Sequence, residues 1–220
     1  MSPKRIPLSG FAKNAEPFSY LSAQINKISA LALYRLQNFP LTANGITMTS
    51  LFFVGLAPMA IFFLKSKLVF ILVLGISYGL DTADGIWART KGEVSRWGGT
   101  LDQFTDYVKD YVVDVSIFFY YFLQFNLRGS PNVTYFLLFL SGYLIAKSLY
   151  YLASTGYTKE KRRRFTEKVK VIVYTPAEKY FIAWPLAILV PEFFGTFYVL
   201  ALLGYVWGSL SLLLTTAKRG

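Results

Sequence analysis

The chain alternates long apolar runs with short polar connections, a pattern typical of helices that cross a membrane. Two such runs are "LFFVGLAPMAIFFL" and "LVFILVLGISYGL". A helix needs about 20 residues to cross the ~30 Å hydrocarbon layer. The fifth run is the least regular, because Pro185 interrupts it and Pro191 follows it. The pattern predicts six spans, at residues 44–64, 68–90, 99–125, 134–154, 177–190 and 194–216.

Residues 17–39 show a different pattern, in which apolar side chains recur at spacings of three and four residues among polar ones. This pattern predicts an amphipathic helix that lies in the membrane interface. The alternative is a first helix that packs against the bundle without lipid contact. The apolar positions are Phe18, Leu21, Ile25, Ile28, Leu31 and Leu36. The expected organisation is an N-terminal cytoplasmic segment (1–43), a six-helix transmembrane domain (44–216) and a short cytoplasmic tail (217–220).

Composition supports an all-α integral membrane protein. Apolar residues make up 54% of the chain and aromatic residues 18%, and the mean hydropathy is +0.41. The chain has no cysteine and no histidine, which excludes a disulfide framework, a thiolate nucleophile and a zinc–thiolate site. A general base must therefore be Asp, Glu, Lys or Tyr. A metal site must be built from oxygen ligands, which suit hard cations such as Mg²⁺ or Mn²⁺.

The formal charge of +11 is attributed to cytoplasmic loops and anionic lipids, and not to nucleic-acid binding. Outside the predicted spans, only Lys65, Lys67 and Arg128 lie on one side of the membrane. The other Lys and Arg residues lie in the N-terminal segment, the 89–97 connection, the 155–179 loop and the tail. The positive-inside rule therefore predicts a multi-pass protein of the cell membrane, with both termini in the cytoplasm.

Four aspartates lie near the connection between the second and third spans. Asp81 and Asp84 share one face of the second helix, and Asp102 and Asp106 share one face of the third. The 89–97 connection is short, so the two helices are antiparallel neighbours and their carboxylates converge on the cytoplasmic side. Such carboxylates repel one another at low dielectric, and one or two divalent cations would neutralise them. The alternative is that these are helix-end aspartates that merely reach water.

The segment also resembles the signature of the CDP-alcohol phosphotransferases, at each of its eight fixed positions and each gap. In this chain the signature reads Asp81-x2-Asp84-Gly85-x2-Ala88-Arg89-x8-Gly98-x3-Asp102-x3-Asp106. The six-helix plan, the interfacial N-terminal helix and the polar "NGIT" of residues 44–47 are similar to that family as well. The resemblance covers residues 17–216.

The resemblance implies a membrane enzyme of phospholipid biosynthesis that acts as a homodimer. It would transfer a phosphatidyl group from a CDP-linked lipid, either CDP-diacylglycerol or an archaeal ether analogue, to an alcohol and release CMP. It implies that Mg²⁺ or Mn²⁺ is held by Asp81, Asp84, Asp102 and Asp106. Catalysis is expected from Asp102 and from Asp106, the base that activates the alcohol. The expected nucleotide contacts are Asp81, Gly85, Ala88, Arg89, Gly98, Asn44 and Thr47.

The acceptor alcohol stays open, because Tyr107 stands where many relatives carry a basic residue. Inositol phosphate, glycerol phosphate, serine, inositol and a lipid alcohol are all candidates. Asp110, one turn after Asp106, is a candidate acceptor contact, whereas Asp114 is expected to pack between helices. Lys147 either reaches toward the membrane surface or lines the acceptor cavity. The basic loop 159–170 binds anionic lipid, or its residues Arg162, Arg163 and Arg164 grip an acceptor phosphate.

Two other classes of function use similar features. A cation transporter or channel would use the aspartates as an ion site, and it predicts carboxylates near the bilayer midplane and interrupted helices there. An inactive scaffold is disfavoured because the signature is complete.

Overall fold

The computed structural model describes residues 5–15, 20–127, 133–155 and 179–217, and every regular element in these ranges is helical. A π-helical segment, Lys179–Ala183, runs directly into α7. The α-helices are α1 (Leu8–Lys13), α2 (Tyr20–Leu36), α3 (Ala43–Phe62), α4 (Lys67–Lys91), α5 (Arg96–Leu127), α6 (Val133–Thr155), α7 (Trp184–Leu189) and α8 (Pro191–Ala217).

Three of these helices are long and apolar enough to cross a membrane: α3, α4 and the part of α8 from Glu192 to Leu210. They correspond to the predicted first, second and sixth spans. The predicted third span coincides with α5, which carries more ionisable residues than an apolar span tolerates. Shorter apolar stretches, Phe136–Leu152 and Tyr180–Leu189, fall in the predicted fourth and fifth spans. The count of six spans therefore stays a prediction.

The helix α2 packs against α1 and α4, and none of the predicted apolar positions is among its buried residues, which are Ser22, Asn26, Ser29, Ala30 and Leu33. Ser29 lies on the buried face, and its hydroxyl is 3.1 Å from both the carbonyl oxygen of Gly79 and the hydroxyl of Thr82. Ile28, one of the predicted apolar positions, is 69% exposed. An apolar side chain turned away from the protein is what a lipid-facing helix requires. The interfacial location itself stays a prediction, and Phe18 lies outside the described residues.

The described helices divide into two compact units. The first comprises α1 to α4, α5 as far as Ile117, and the segment from Lys179 to Pro185. The second comprises α5 from Phe118, α6, the rest of α7, and α8. The second unit has an aromatic core, in which Phe118 is fully buried and its ring centre is 4.3 Å from that of Tyr198. All four aspartates of the signature lie in the first unit.

The connection between α4 and α5 is short, and the helix end on each side of it is capped. Gly92 ends α4 with φ of 72°, a left-handed conformation that glycine adopts without steric cost. The hydroxyl of Ser95 accepts a 2.9 Å hydrogen bond from the backbone N–H of Gly98 in the first turn of α5. Only residues 92–95 separate the two helices, so the ends that carry the aspartates are held side by side.

Glu93, in that connection, ties α4 to the start of α3. One carboxylate oxygen accepts a 3.1 Å hydrogen bond from the indole N–H of Trp87, and the other accepts a 2.9 Å bond from the backbone N–H of Ala43. Farther along the same two helices, the hydroxyls of Ser50 and Ser77 lie 3.0 Å apart and each bonds the other's backbone carbonyl. These bonds fix the register of α3 against α4, and with it the positions of Asn44 and Thr47.

The segment before α2 is anchored on α4 through Phe11. This side chain is fully buried and packs against Trp87, with ring centres 6.4 Å apart, in a cluster that includes Leu33, Ile46 and Ile86. The N-terminal helix therefore stabilises the end of α4 that carries the signature.

We expect Phe11→Ala to lower the free energy of unfolding by about 3–5 kcal/mol, because truncating a buried phenylalanine removes apolar contacts and leaves a cavity. Thermal unfolding in detergent would measure the change. Phe52→Ala is the matched control, since Phe52 is 63% exposed and its truncation leaves no internal cavity. Equal effects of the two substitutions would contradict the packing described here.

Candidate active site

Three carboxylates from two neighbouring helices form a cluster in the first unit. Asp81 comes from α4, and Asp102 and Asp106 come from α5, where a spacing of four residues puts them on one face. One oxygen of each carboxylate lies within 4.8 Å of one oxygen of the other two. Asp81 and Asp102 are half-buried, and Asp106 stands at the exposed edge of the cluster. Convergence of these aspartates, predicted from the short connection, is confirmed for these three.

Lys109 lies inside this cluster. Its ammonium forms an ion pair with Asp81, and its Nζ is 3.4 Å from the Oδ1 atom of Asp106, one turn earlier on α5. The side chain is fully buried. The buried ammonium therefore links the two helices that carry the cluster.

Asp84 has a different environment. It is buried, and its Oδ2 accepts a 2.5 Å hydrogen bond from the hydroxyl of Thr47 on α3. It is not one of the three residues whose oxygens cluster within 4.8 Å. The assignment of Asp84 as a metal ligand therefore stays a prediction. Its hydrogen bond with Thr47 connects a residue of the signature with a residue of the "NGIT" segment.

The three clustered carboxylates fit a divalent cation. Hard cations bind oxygen ligands at about 2.0–2.6 Å, so two ligands on opposite sides of one ion are about 4–5 Å apart. The oxygens of the cluster lie within 4.8 Å of one another, close enough to share one ion. Three carboxylates close together also need positive charge, and Lys109 supplies only part of it.

Four of the predicted nucleotide contacts form two close pairs. A methyl group built on Gly98 would lie 3.3 Å from the side-chain oxygen of Asn44, so α3 and α5 approach closely there. A methyl group on Gly85 would lie 3.2 Å from the guanidinium of Arg89. The Nε atom of Arg89 donates a 3.0 Å hydrogen bond to the backbone carbonyl of Asn14, in the N-terminal segment. Ala88, which precedes Arg89 on α4, is half-buried.

Two of the candidate acceptor contacts, Asp110 and Lys147, lie among the described residues. Asp110 is buried in the first unit, whereas Lys147 is buried in the second, with its Nζ 5.9 Å and 5.7 Å from the ring centres of Tyr143 and Tyr151. Asp114 accepts a 2.8 Å hydrogen bond from the indole N–H of Trp184, as expected of a residue that packs between helices. The predicted contacts Arg162, Arg163 and Arg164 lie outside the described residues.

Apolar helices of membrane length, together with a carboxylate cluster suited to a hard divalent cation, define a helical membrane protein with a candidate metal centre. The family model for CDP-alcohol phosphatidyltransferase matches residues 40–213. The chain therefore belongs to this family, and the family resemblance is confirmed. Membership supports phosphatidyl transfer from a CDP-alcohol and, with the three apolar helices, indicates an integral membrane protein. Comparison with curated proteins gave no match.

Proposed function

We propose that the protein is a metal-dependent membrane enzyme that transfers a phosphatidyl group from a CDP-linked lipid to an alcohol and releases CMP. The observation that carries the proposal is the cluster of Asp81, Asp102 and Asp106, three positions of the signature, inside the region that matches the family. The donor is CDP-diacylglycerol or its archaeal ether analogue, and the pathway is phospholipid biosynthesis.

Mg²⁺ or Mn²⁺, held by Asp81, Asp102 and Asp106 with Asp84 nearby, would neutralise charge on the diphosphate of the donor. Asp106 is the proposed base, because its side chain is 50% exposed and can meet an incoming alcohol. It takes the proton of the acceptor hydroxyl as that oxygen bonds to the phosphorus that carries the lipid. The bond from this phosphorus to the CMP oxygen breaks, and CMP leaves with the electron pair.

The nucleotide is proposed to lie against the small residues at the ends of α4 and α5. Gly85, Ala88 and Gly98 have little or no side chain, so a cytidine can approach the helix backbones. Arg89 and Asn44 flank these positions, and Thr47 holds the Asp84 carboxylate in place. The hydrogen bond from Arg89 to Asn14 leaves the two terminal nitrogens of the guanidinium near Gly85, on the proposed nucleotide side.

Gly98→Ala is expected to weaken binding of CDP about tenfold, that is by about 1.4 kcal/mol, because the new methyl group crowds Asn44 and the hydroxyl of Ser95. Gly99→Ala is the matched control, since a methyl group there meets nothing within 4 Å. Isothermal titration of both variants with CDP would measure the difference. Indistinguishable affinities would argue against a nucleotide site at Gly98.

The proposal also covers the residues that contact the acceptor and the arrangement of the protein in the membrane. Asp110, Lys147 and the basic residues 162–164 are proposed to contact the acceptor. The enzyme is proposed to be a homodimer with six spans, an interfacial N-terminal helix, and both termini and the active site on the cytoplasmic side, where its basic loop meets anionic lipids.

The test is an incubation of the purified protein with CDP-diacylglycerol, Mg²⁺ or Mn²⁺, and each candidate alcohol in turn. Mass spectrometry would follow CMP and the lipid product. CMP release with one alcohol is the expected result, and it would identify the acceptor as well. No CMP from any donor and alcohol pair, together with metal flux across vesicles, would favour a transporter. The structure gives no support to that rival, because α4 and α5 run without interruption through Asp81 and Asp106.

A further inference from the structure

The guanidinium of Arg89 is bonded along one edge, and its other edge makes no hydrogen bond within the part of the chain that the structure describes. Its Nε atom donates a 3.0 Å hydrogen bond to the backbone carbonyl of Asn14. Its terminal nitrogens lie over Gly85, where an added methyl group would be 3.2 Å from Nη1 and 3.4 Å from Nη2. Gly85 lies one turn after Asp81 on α4. The unbonded edge of this cation therefore lies on the side of α4 that carries Asp81.

Asn14 is itself fixed to α4 by its side chain. Its Nδ2 atom donates a 3.1 Å hydrogen bond to the hydroxyl of Thr90 and a 3.0 Å hydrogen bond to the backbone carbonyl of Gly10. These two bonds use both hydrogens of the amide. Because Thr90 follows Arg89 in the chain, Asn14 contacts two successive residues of α4, one through its side chain and one through its carbonyl. The carbonyl that accepts the bond from Arg89 is thus fixed relative to that helix.

We propose that Asn14 is a positioning residue for Arg89, and that it directs the terminal nitrogens of the guanidinium toward the diphosphate of the CDP-linked donor. Paired N–H groups of a guanidinium match two phosphate oxygens in geometry as well as in charge. This inference rests on the proposed function, because the diphosphate belongs to the donor of that enzyme. It adds to the nucleotide site a residue that precedes the family match at residues 40–213.

The N-terminal segment is held firmly enough for this role. Phe11 is fully buried against Trp87. The backbone N–H of Ile6 donates a 2.8 Å hydrogen bond to Oε1 of Gln37, whose Nε2 donates a 3.3 Å bond back to the carbonyl of Ile6. Arg89, in contrast, is exposed, and ordering such a long side chain when a ligand binds lowers the affinity. A bond that fixes Nε in the free protein removes this cost before the nucleotide arrives.

Titration of the purified full-length protein with CDP in the presence of Mg²⁺ tests the inference. Asn14→Ala is expected to weaken binding of CDP about tenfold, because the carbonyl that holds Arg89 is no longer fixed. Ser9→Ala is the matched control, since it truncates an exposed polar side chain of the same segment, and it is expected to bind CDP like wild type. In an Arg89→Lys background, which has no Nε–H to hold, Asn14→Ala is expected to weaken binding by no more than about twofold.

Wild-type affinity in Asn14→Ala would overturn the inference and leave the proposed function intact. A tenfold loss in both backgrounds would also overturn it, because Asn14 would then affect the site by a route other than the guanidinium, such as the stability of the N-terminal segment. If Asn14→Ala does not fold, Thr90→Val takes its place in the same cycle, since it removes an acceptor of Nδ2, and unchanged affinity would count against the inference. Absence of CDP binding in wild type would instead refute the nucleotide site of the proposed function, and the inference with it.

Discussion

Asp106→Asn is expected to reduce CMP release by about 10³-fold or more. The asparagine has nearly the same shape but cannot take the proton of the alcohol, and loss of a positioned general base typically costs about 10²- to 10⁴-fold. The same change removes an anionic oxygen from the cluster with Asp81 and Asp102, which weakens binding of the metal. Steady-state kinetics with saturating donor and acceptor would measure the effect.

Asp114→Asn is the matched control, because it makes the same chemical change two turns later on α5. Asparagine keeps the side-chain oxygen that accepts the hydrogen bond from Trp184, so activity is expected to stay within a few-fold of wild type. Near-normal activity of Asp106→Asn would refute the role of Asp106 as base. Equal losses in both variants would point to damage to α5 as a whole.

Removal of divalent cations is expected to have an effect of similar size. A metal at a phosphoryl group contributes several kcal/mol of transition-state stabilisation, and about 4 kcal/mol corresponds to about 10³-fold in rate. Chelation should therefore abolish CMP release, and Mg²⁺ or Mn²⁺ should restore it, since the clustered ligands are carboxylate oxygens.

The thermal midpoint of the chelated protein provides the control for this experiment. It is expected to change little on the time scale of the assay, because Lys109 still pairs with Asp81 and Asp106 after the metal leaves. Activity that persists in protein shown by elemental analysis to be metal-free would refute metal dependence.

Some parts of the site follow from the sequence because they depend on local geometry. The four-residue spacing of Asp102 and Asp106 fixes their shared face, and the short connection after α4 brings Asp81 beside them. Lys109 and Asp106 pair for the same reason, because residues three positions apart also share a face of the helix. Helix boundaries were predicted to within a few residues for the runs that the structure describes, because apolar length and capping residues determine them.

Other contacts could not be predicted, because they join segments far apart in the chain. No periodicity links Asn14 to Arg89 or Thr47 to Asp84, and these contacts depend on how α1 and α3 pack against α4. The role of Glu93 also went unrecognised, because an acidic residue in a polar connection looks like any solvated side chain. The third span, by contrast, was predicted over α5 and stays a prediction, because α5 is long enough to cross a bilayer but carries too many ionisable residues to stand among the apolar helices of membrane length.

The ion pair between Lys109 and Asp81 also bears on how the chain enters a bilayer during synthesis. An Asp or Lys costs up to about 2.5–3.5 kcal/mol when it lies at the centre of an inserting helix, and α5 carries several such residues. That cost falls once Asp81 of α4 stands beside Lys109. If α5 spans the membrane as proposed, the two helices are expected to leave the translocation channel together as a hairpin. A substitution at Lys109 would then lower the yield of inserted protein as well as alter the metal site.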